Sequence, residues 1–113
     1  MCIKRSEEEH RQYYYLSMPY LVYILYSKKL NRFYVGQTID LQNRVEEHNN
    51  GESPYTSTGT PWTLIWSTVK SSFRETELLE QKLKNLSRTR KIRFMLKYLE
   101  GVANMKLLKS IAP

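Results

Sequence analysis

Apolar positions along the chain follow two different periods, and the switches between them mark the elements. Tyr20 to Tyr26 (YLVYILY) is rich in β-branched and aromatic residues and follows Pro19, which predicts a buried strand, apolar on both faces. Ser27 to Arg32 is polar, and Phe33 to Gly36 resumes as a short second strand. A link this short favours a hairpin, although without Gly it names no turn type. From Leu41 the period lengthens. Leu41, Arg44, Val45 and His48 recur at i, i+3, i+4, i+7 and share one stripe of a helix, with Asp40 as N-cap and Asn49-Asn50-Gly51 as the stop. A loop rich in Ser, Thr, Gly and Pro runs from Gly51 to Pro61, and Trp62 to Val69 (WTLIWSTV) reads as a third strand. Ser72 and Glu75 match a capping box, so a helix should begin near Phe73, with Leu79, Leu83 and Leu86 as its apolar stripe. Ser87 breaks that pattern. A second, basic helix is predicted from about Arg88 to Leu99, with Ile92, Leu96 and Leu99 inward and Gly101 as the stop. Residues 102–113 keep apolar residues but show no strong signal.

The order β-β-α-β-α-α predicts an α+β domain, a small three-stranded sheet packed with helices. The expected organisation is a domain over 19–99, an N-terminal extension over 1–18 and a C-terminal tail over 100–113. A chain of 113 residues can bury a modest core without disulfides or metals. The single cysteine, Cys2, cannot form an internal bridge, and Cys2, His10 and His48 are too few and too scattered for structural zinc. A reducing cytoplasm is the expected compartment. Residues 4–12 (KRSEEEHRQ) lack the apolar core of a secretory signal. The longest apolar run has seven residues, where a bilayer needs ~20, so no membrane partner is expected.

Charge changes the picture. The formal net charge is +7, and residues 57–113, with eleven Lys/Arg against four Asp/Glu, supply all of it. Lys82 to Lys97 holds seven basic residues and no acid. Such an excess points to a polyanionic partner, DNA or RNA, and its plain alternative is a solvated helix face. Lys84, Arg88 and Lys91, with Tyr55 in the loop, are the candidate nucleic-acid contacts. No nucleotide cofactor is expected.

Candidate chemistry begins in the hairpin. If Tyr26 pairs opposite Phe33, then Leu25 opposes Tyr34 and Tyr23 opposes Gly36. That register brings Tyr23 and Tyr34 diagonally together on one face, with Gly36 leaving space beside Tyr23 for a ligand. In a chain with nine tyrosines, core packing is the bland alternative. Arg44 and His48 project from the same side of their helix. Arg is a charged planar fork suited to phosphate, and His can shuttle a proton near neutral pH. Among the later carboxylates, Glu75 is explained by the capping box and Glu77 points away from the leucine stripe. Glu80 lies about 100° round the helix from Leu79, where it can look into a cleft; its alternative is an i,i+4 pair with Lys84.

Taken together these residues match a pattern. Val22 to Leu25 (VYIL), then Tyr34 to Gly36 (YVG), then Arg44, His48 and a later helical Glu resemble the GIY-YIG nuclease domain over roughly Tyr20 to Leu96. The chain looks especially like the small stand-alone members, akin to the N-terminal domain of an excinuclease. These also carry a Thr-Ser…Gly-x-Pro-Trp loop, here Thr56 to Trp62, and a basic Ser-Arg segment, here Leu86-Ser87-Arg88. The resemblance implies a three-stranded antiparallel sheet flanked by helices. It implies phosphodiester cleavage with one divalent metal, usually Mg²⁺, or another such as Mn²⁺. By match to the motifs, Tyr23 and Tyr34 are the two triplet tyrosines. Arg44 and His48 are the family's arginine and histidine, and Glu80 its metal-binding glutamate.

The expected roles follow from the chemistry. Tyr23 would be the general base for water, Arg44 would clamp the scissile phosphate, and Glu80 would hold the metal. Tyr34 and His48 would orient these groups. A free phenol has a pKa near 10, so ionising it at pH 7 needs roughly 4 kcal/mol. Arg44 and a cation could supply part of that, and a proton relay through His48 or Tyr34 is the alternative. The chain departs from the family in lacking the first triplet's glycine and the late asparagine of some relatives. No additional DNA-targeting domain is visible, so substrate choice should rest on the domain itself, a protein partner or a homo-oligomer. The expected function is thus a Mg²⁺-dependent DNA endonuclease, in DNA repair or on branched DNA. The alternative is a non-catalytic nucleic-acid-binding module of the same fold.

Overall fold

The computed structural model describes residues 19–113. The expected N-terminal extension, 1–18, lies outside the described residues, as do Cys2 and His10. Strands β1 (Tyr20–Ser27) and β2 (Arg32–Thr38) form an antiparallel hairpin. Asn31, at φ 53°, supplies the left-handed turn residue where no glycine is present. The register pairs Tyr26 with Phe33, Leu25 with Tyr34 and Tyr23 with Gly36, the pairing that brings Tyr23 and Tyr34 to one face. Helix α1 (Leu41–Asn49) follows, capped by the Asp40 side chain on the Asn43 amide at 3.2 Å. It ends before Gly51, whose φ of +75° no β-substituted residue adopts cheaply. A short 3₁₀ turn (Ser57–Gly59) precedes β3 (Trp62–Lys70), which pairs antiparallel with β1. The sheet order is β2-β1-β3. The protein is therefore α+β, a three-stranded antiparallel sheet flanked by helices.

The central strand β1 is apolar on both faces because both are covered. Val22, Ile24 and Tyr26 join Leu83, Ile92, Met95 and Leu108 in the larger cluster, under α2 (Phe73–Lys84) and α3 (Arg88–Lys97). Tyr23 and Leu25 face the other way, into a smaller cluster with Trp62, Leu30, Tyr34, Leu64 and the α1 residues Leu41 and Val45. A bulge in β3 leaves Ile65 as an extra residue between the Ile24–Trp66 and Leu25–Leu64 pairs, so Ile65 and Trp66 both reach the larger cluster. The capping expectations at Asp40 and Ser72 hold, and Ser87, read from sequence only as a break, is a third cap. Ser72 accepts from the Glu75 amide at 3.2 Å, and Ser87 caps α3 through the Arg90 amide at 3.3 Å.

Two expectations about the C-terminal half are corrected. In α3 the inward residues are Ile92 and Met95, while Leu96 (41%) and Leu99 (50%) are exposed. The helix ends at Lys97, and Leu99–Gly101 form a 3₁₀ turn, so the i, i+4, i+7 stripe drawn from Ile92 never completes. The segment 100–113, expected as a tail, carries a fourth helix, α4 (Met105–Ile111), capped by Asn104 on the Leu107 amide at 2.9 Å. The Ala103 amide binds the Ile65 carbonyl at 2.9 Å, and Leu108 is fully buried in the larger cluster. Leu108→Ala is therefore expected to destabilise the fold by about 2–5 kcal/mol, as for other buried leucines. Urea unfolding of the two proteins measures it, and a change below about 1 kcal/mol would mean α4 is not part of the cooperative core.

Candidate active site

The site grows from the face of the hairpin that α1 covers. Tyr23 stands at mid-β1, 1% exposed, opposite Gly36. A Cβ on Gly36 would collide with the Tyr23 hydroxyl and lie 2.5 Å from Cζ. The space expected beside Tyr23 for a ligand is therefore filled by the tyrosine's own ring. Gly36 is there so that the ring can lie flat across β2.

The Tyr23 hydroxyl meets His48 Nε2 at 2.9 Å. His48, on the inward stripe of α1, is fully buried. Its Nδ1 meets Thr56 Oγ1 at 2.7 Å, and Thr56 is also fully buried. Tyr34 packs on the same imidazole, edge to face, with ring centroids 4.8 Å apart, and lies 6.3 Å from the Tyr23 ring and 6.3 Å from Trp62. Two tyrosines and the histidine thus form one cluster.

Arg44 lies one turn before His48. Its Nη1 donates to Glu47 Oε1 at 3.1 Å. Burial works against its charge, but the contacts with Glu47 and Tyr23 outweigh this and hold it protonated more firmly than usual. Both partners of the Arg44–Glu47 pair are about a third exposed, so it is worth about 0–1 kcal/mol and can be exchanged for a phosphate. Burial raises Tyr23 to about 12; Arg44 opposes the rise, and Tyr34 and Glu80 add to it. Glu80 is the smallest of these influences, and α2, which carries it, packs with the larger cluster on the sheet's other face. Its side chain is 13% exposed and sits 3.7 Å from Lys84 Nζ.

Burial lowers the His48 pKa, and the nearby Arg44 charge lowers it further against the opposing effect of Glu47. His48 is therefore neutral at pH 7. In the unfolded chain it titrates near 6.5, so the unfolded state binds more protons as pH falls below that value. Stability should then drop between pH 6.5 and the lowered folded pKa. His48→Gln is expected to lack this part of the acid dependence in denaturation measured from pH 7.5 to 5, and parallel curves for the two proteins would refute it.

The expected nucleic-acid contacts fare differently. Tyr55 is 88% exposed in the loop after α1. Lys84 pairs with Glu80. Arg88 donates through both terminal nitrogens to Asn31, at 3.0 Å to its carbonyl and 2.9 Å to its side chain, and stacks over Phe33. Lys91 donates to the Leu86 carbonyl at 2.5 Å, and burial lowers its pKa. Arg88 and Lys91 thus clamp the hairpin turn and the α2–α3 junction, while Arg90 and Arg93 are exposed on the same helix.

Sequence reasoning missed Thr56 as a partner of His48. The signal was present, because Thr56 opens the Thr-Ser…Gly-x-Pro-Trp loop, but nothing in that motif says which residue it faces. The loop is latched at its far end. Trp62 Nε1 donates to the Thr56 carbonyl at 2.7 Å, and the Asn49 side chain brackets the Trp62 backbone at 2.5 and 3.0 Å.

Among the described residues, no three His, Cys, Asp or Glu side chains cluster to cage a metal. A lone, half-buried carboxylate such as Glu80 fits Mg²⁺, which keeps most of its waters and takes one or two carboxylates plus substrate phosphate. No helix among the described residues is long and apolar enough to cross a membrane.

The family model for the GIY-YIG catalytic domain matches residues 19–93. A UPF0213 protein of Pediococcus pentosaceus is 35% identical over 77 residues, covering 67% of this chain and 81% of the relative. Another, of Halobacterium salinarum, is 42% identical over 60 residues, covering 52% and 78%. The solution NMR structure of a UPF0213 protein of Bacillus halodurans is similar at 28% identity and a TM-score of 0.47, covering 83% of this chain and 95% of that one. Tyr23, Tyr34, Arg44, His48 and Glu80 all fall inside the matched span, and the chain belongs to the GIY-YIG catalytic domain family, whose fold is that of a nuclease.

Proposed function

We propose that this protein is a divalent-metal-dependent endonuclease that hydrolyses phosphodiester bonds in DNA, with branched or damaged DNA as the first substrates to test. The observation that carries the reading is the buried contact between the Tyr23 hydroxyl and His48 Nε2 at 2.9 Å. A packing tyrosine needs no imidazole partner, whereas a tyrosine that must accept a proton from water needs somewhere to pass its own.

Magnitudes favour a relay over a resting phenolate. With Tyr23 at about 12, ionising it at pH 7 would cost about 7 kcal/mol. His48, neutral at pH 7, can instead take the phenolic proton on Nε2 as Tyr23 Oη takes a proton from the attacking water. The hydroxide equivalent attacks phosphorus, the P–O bond to the leaving oxygen breaks, and that oxygen takes a proton from solvent. After turnover His48 returns its proton to Tyr23 Oη, and Tyr23 releases to solvent the proton it took from water. Arg44 exchanges Glu47 for the phosphate oxygens as negative charge builds on them. Tyr34 holds the imidazole by packing. Glu80 would hold Mg²⁺ or Mn²⁺, which when bound supplies Lewis-acid stabilisation of the phosphate and leaving oxygen. Arg90, Arg93 and Lys84 offer positive charge to the flanking backbone, and Tyr55 a ring for an unpaired base. A protein partner or a second copy of the chain would narrow substrate choice.

The test is a titration of Mg²⁺ and Mn²⁺ against branched, duplex and single-stranded DNA with the purified protein. Metal-dependent scission supports the reading. Salt-sensitive binding without scission under either metal would replace it with a non-catalytic nucleic-acid-binding module.

A further inference from the structure

We propose that Thr56 is a positioning residue that sets the tautomer of His48, so that Nε2 faces Tyr23 as a proton acceptor. A hydroxyl has one proton to give. Thr56 Oγ1 lies 3.4 Å from the Ser53 carbonyl, which also takes the amides of Thr56 at 3.2 Å and Ser57 at 3.1 Å and is held in place by them. Where that carbonyl takes its proton, Oγ1 is left to accept from His48, at 2.7 Å. Nδ1 then carries the imidazole hydrogen, and Nε2 presents its lone pair to the Tyr23 hydroxyl at 2.9 Å. The opposite tautomer would point Nε2–H at Tyr23 and leave it no means of taking the phenolic proton. Water cannot supply the missing direction at the imidazole, because His48 and Thr56 are both fully buried. Second partners that orient a histidine through its other ring nitrogen act in this way at many sites.

The loop motif now has a physical reading. Thr56 is pinned to Trp62 through its carbonyl, and Trp62 to Asn49 at the end of the helix that carries His48. Gly59 admits the Trp62 ring, 2.5 Å from where a Cβ would stand, and its carbonyl accepts from Ser27 Oγ at 2.6 Å. The loop is thus closed onto α1 and β1 with Thr56 against the imidazole. Its catalytic consequence rests on the nuclease reading, but the tautomer does not.

The test is the ¹⁵N spectrum of ¹⁵N-histidine in the full chain, which separates the two neutral tautomers, with His48→Gln to assign the signal. Wild type is expected to show the Nδ1–H form of His48 at pH 7, and Thr56→Ser to keep it. Thr56→Val and Thr56→Ala, which lack the acceptor, are expected to lose that preference. In cleavage assays kcat should fall roughly 10–100-fold in Val and Ala with KM unchanged, and recover in Ser. An Nε2–H tautomer in wild type overturns the proposal, even if neither Val nor Ala folds. So does an unchanged tautomer in Val or Ala, or an equal loss in Ser and Val. If wild type cuts no DNA, the nuclease reading fails while the spectra still decide the role of Thr56.

Discussion

Tyr23→Phe is expected to lower the cleavage rate about 10²–10⁴-fold, the usual contribution of a positioned acid–base group. The substitution removes one oxygen and keeps the ring, so the ring's place over Gly36 and against Tyr34 survives. What it does remove is the partner of His48 Nε2. A buried acceptor left unpaired costs about 1–3 kcal/mol, so the variant should fold with lower stability and still bind DNA. Single-turnover cleavage, with binding measured separately by fluorescence anisotropy, distinguishes a lost chemical step from lost affinity. A rate within threefold of wild type would remove Tyr23 from the mechanism. His48 would then be the base acting on water directly, which its full burial makes difficult.

The second large effect is expected at Glu80. Glu80→Gln keeps the shape of the side chain but replaces the carboxylate with a neutral amide. If Glu80 holds the divalent ion, the variant should need far more Mg²⁺ and lose more than about 100-fold in rate at saturating DNA, since a catalytic cation contributes several kcal/mol. DNA affinity should hold or rise, because Lys84 is released from its 3.7 Å pairing with Glu80 and one negative charge is gone. The combination of a Mg²⁺-dependent loss and retained affinity is what a merely structural ion pair would not produce, because an i,i+4 helix pair is worth only a few tenths of a kcal/mol and carries no dependence on Mg²⁺. Equal cutting by the two proteins at every Mg²⁺ concentration would refute the metal assignment.

Sequence reasoning performed best where a periodic pattern meets a directional constraint. Tyr23 opposite Gly36 followed from one assumed pair, Tyr26 with Phe33, because alternation then places every other residue of the hairpin. The caps at Asp40 and Ser72 were readable because an N-cap side chain satisfies backbone amides only three residues away. It performed worst where partners are distant in sequence. Arg88 and Asn31 are separated by 57 residues and Thr56 and His48 by 8 across a loop, and no local pattern announces either pair. In the sequence Arg88 and Lys91 are indistinguishable from the rest of the basic run, although both fasten the fold. Helix α4 escaped notice because seven residues with one fully buried leucine are too short for periodicity to stand out.

By itself, then, the sequence determined the three strands, their order with the helices and which residues match the family's set. Those depend on side-chain alternation, helix periodicity and capping, which are local. Tertiary structure alone decided that the Gly36 space belongs to the Tyr23 ring and that His48 is buried between Tyr23 and Thr56. These depend on how elements far apart in the chain come together, and on how burial there shifts a proton's cost. No spacing rule carries that information.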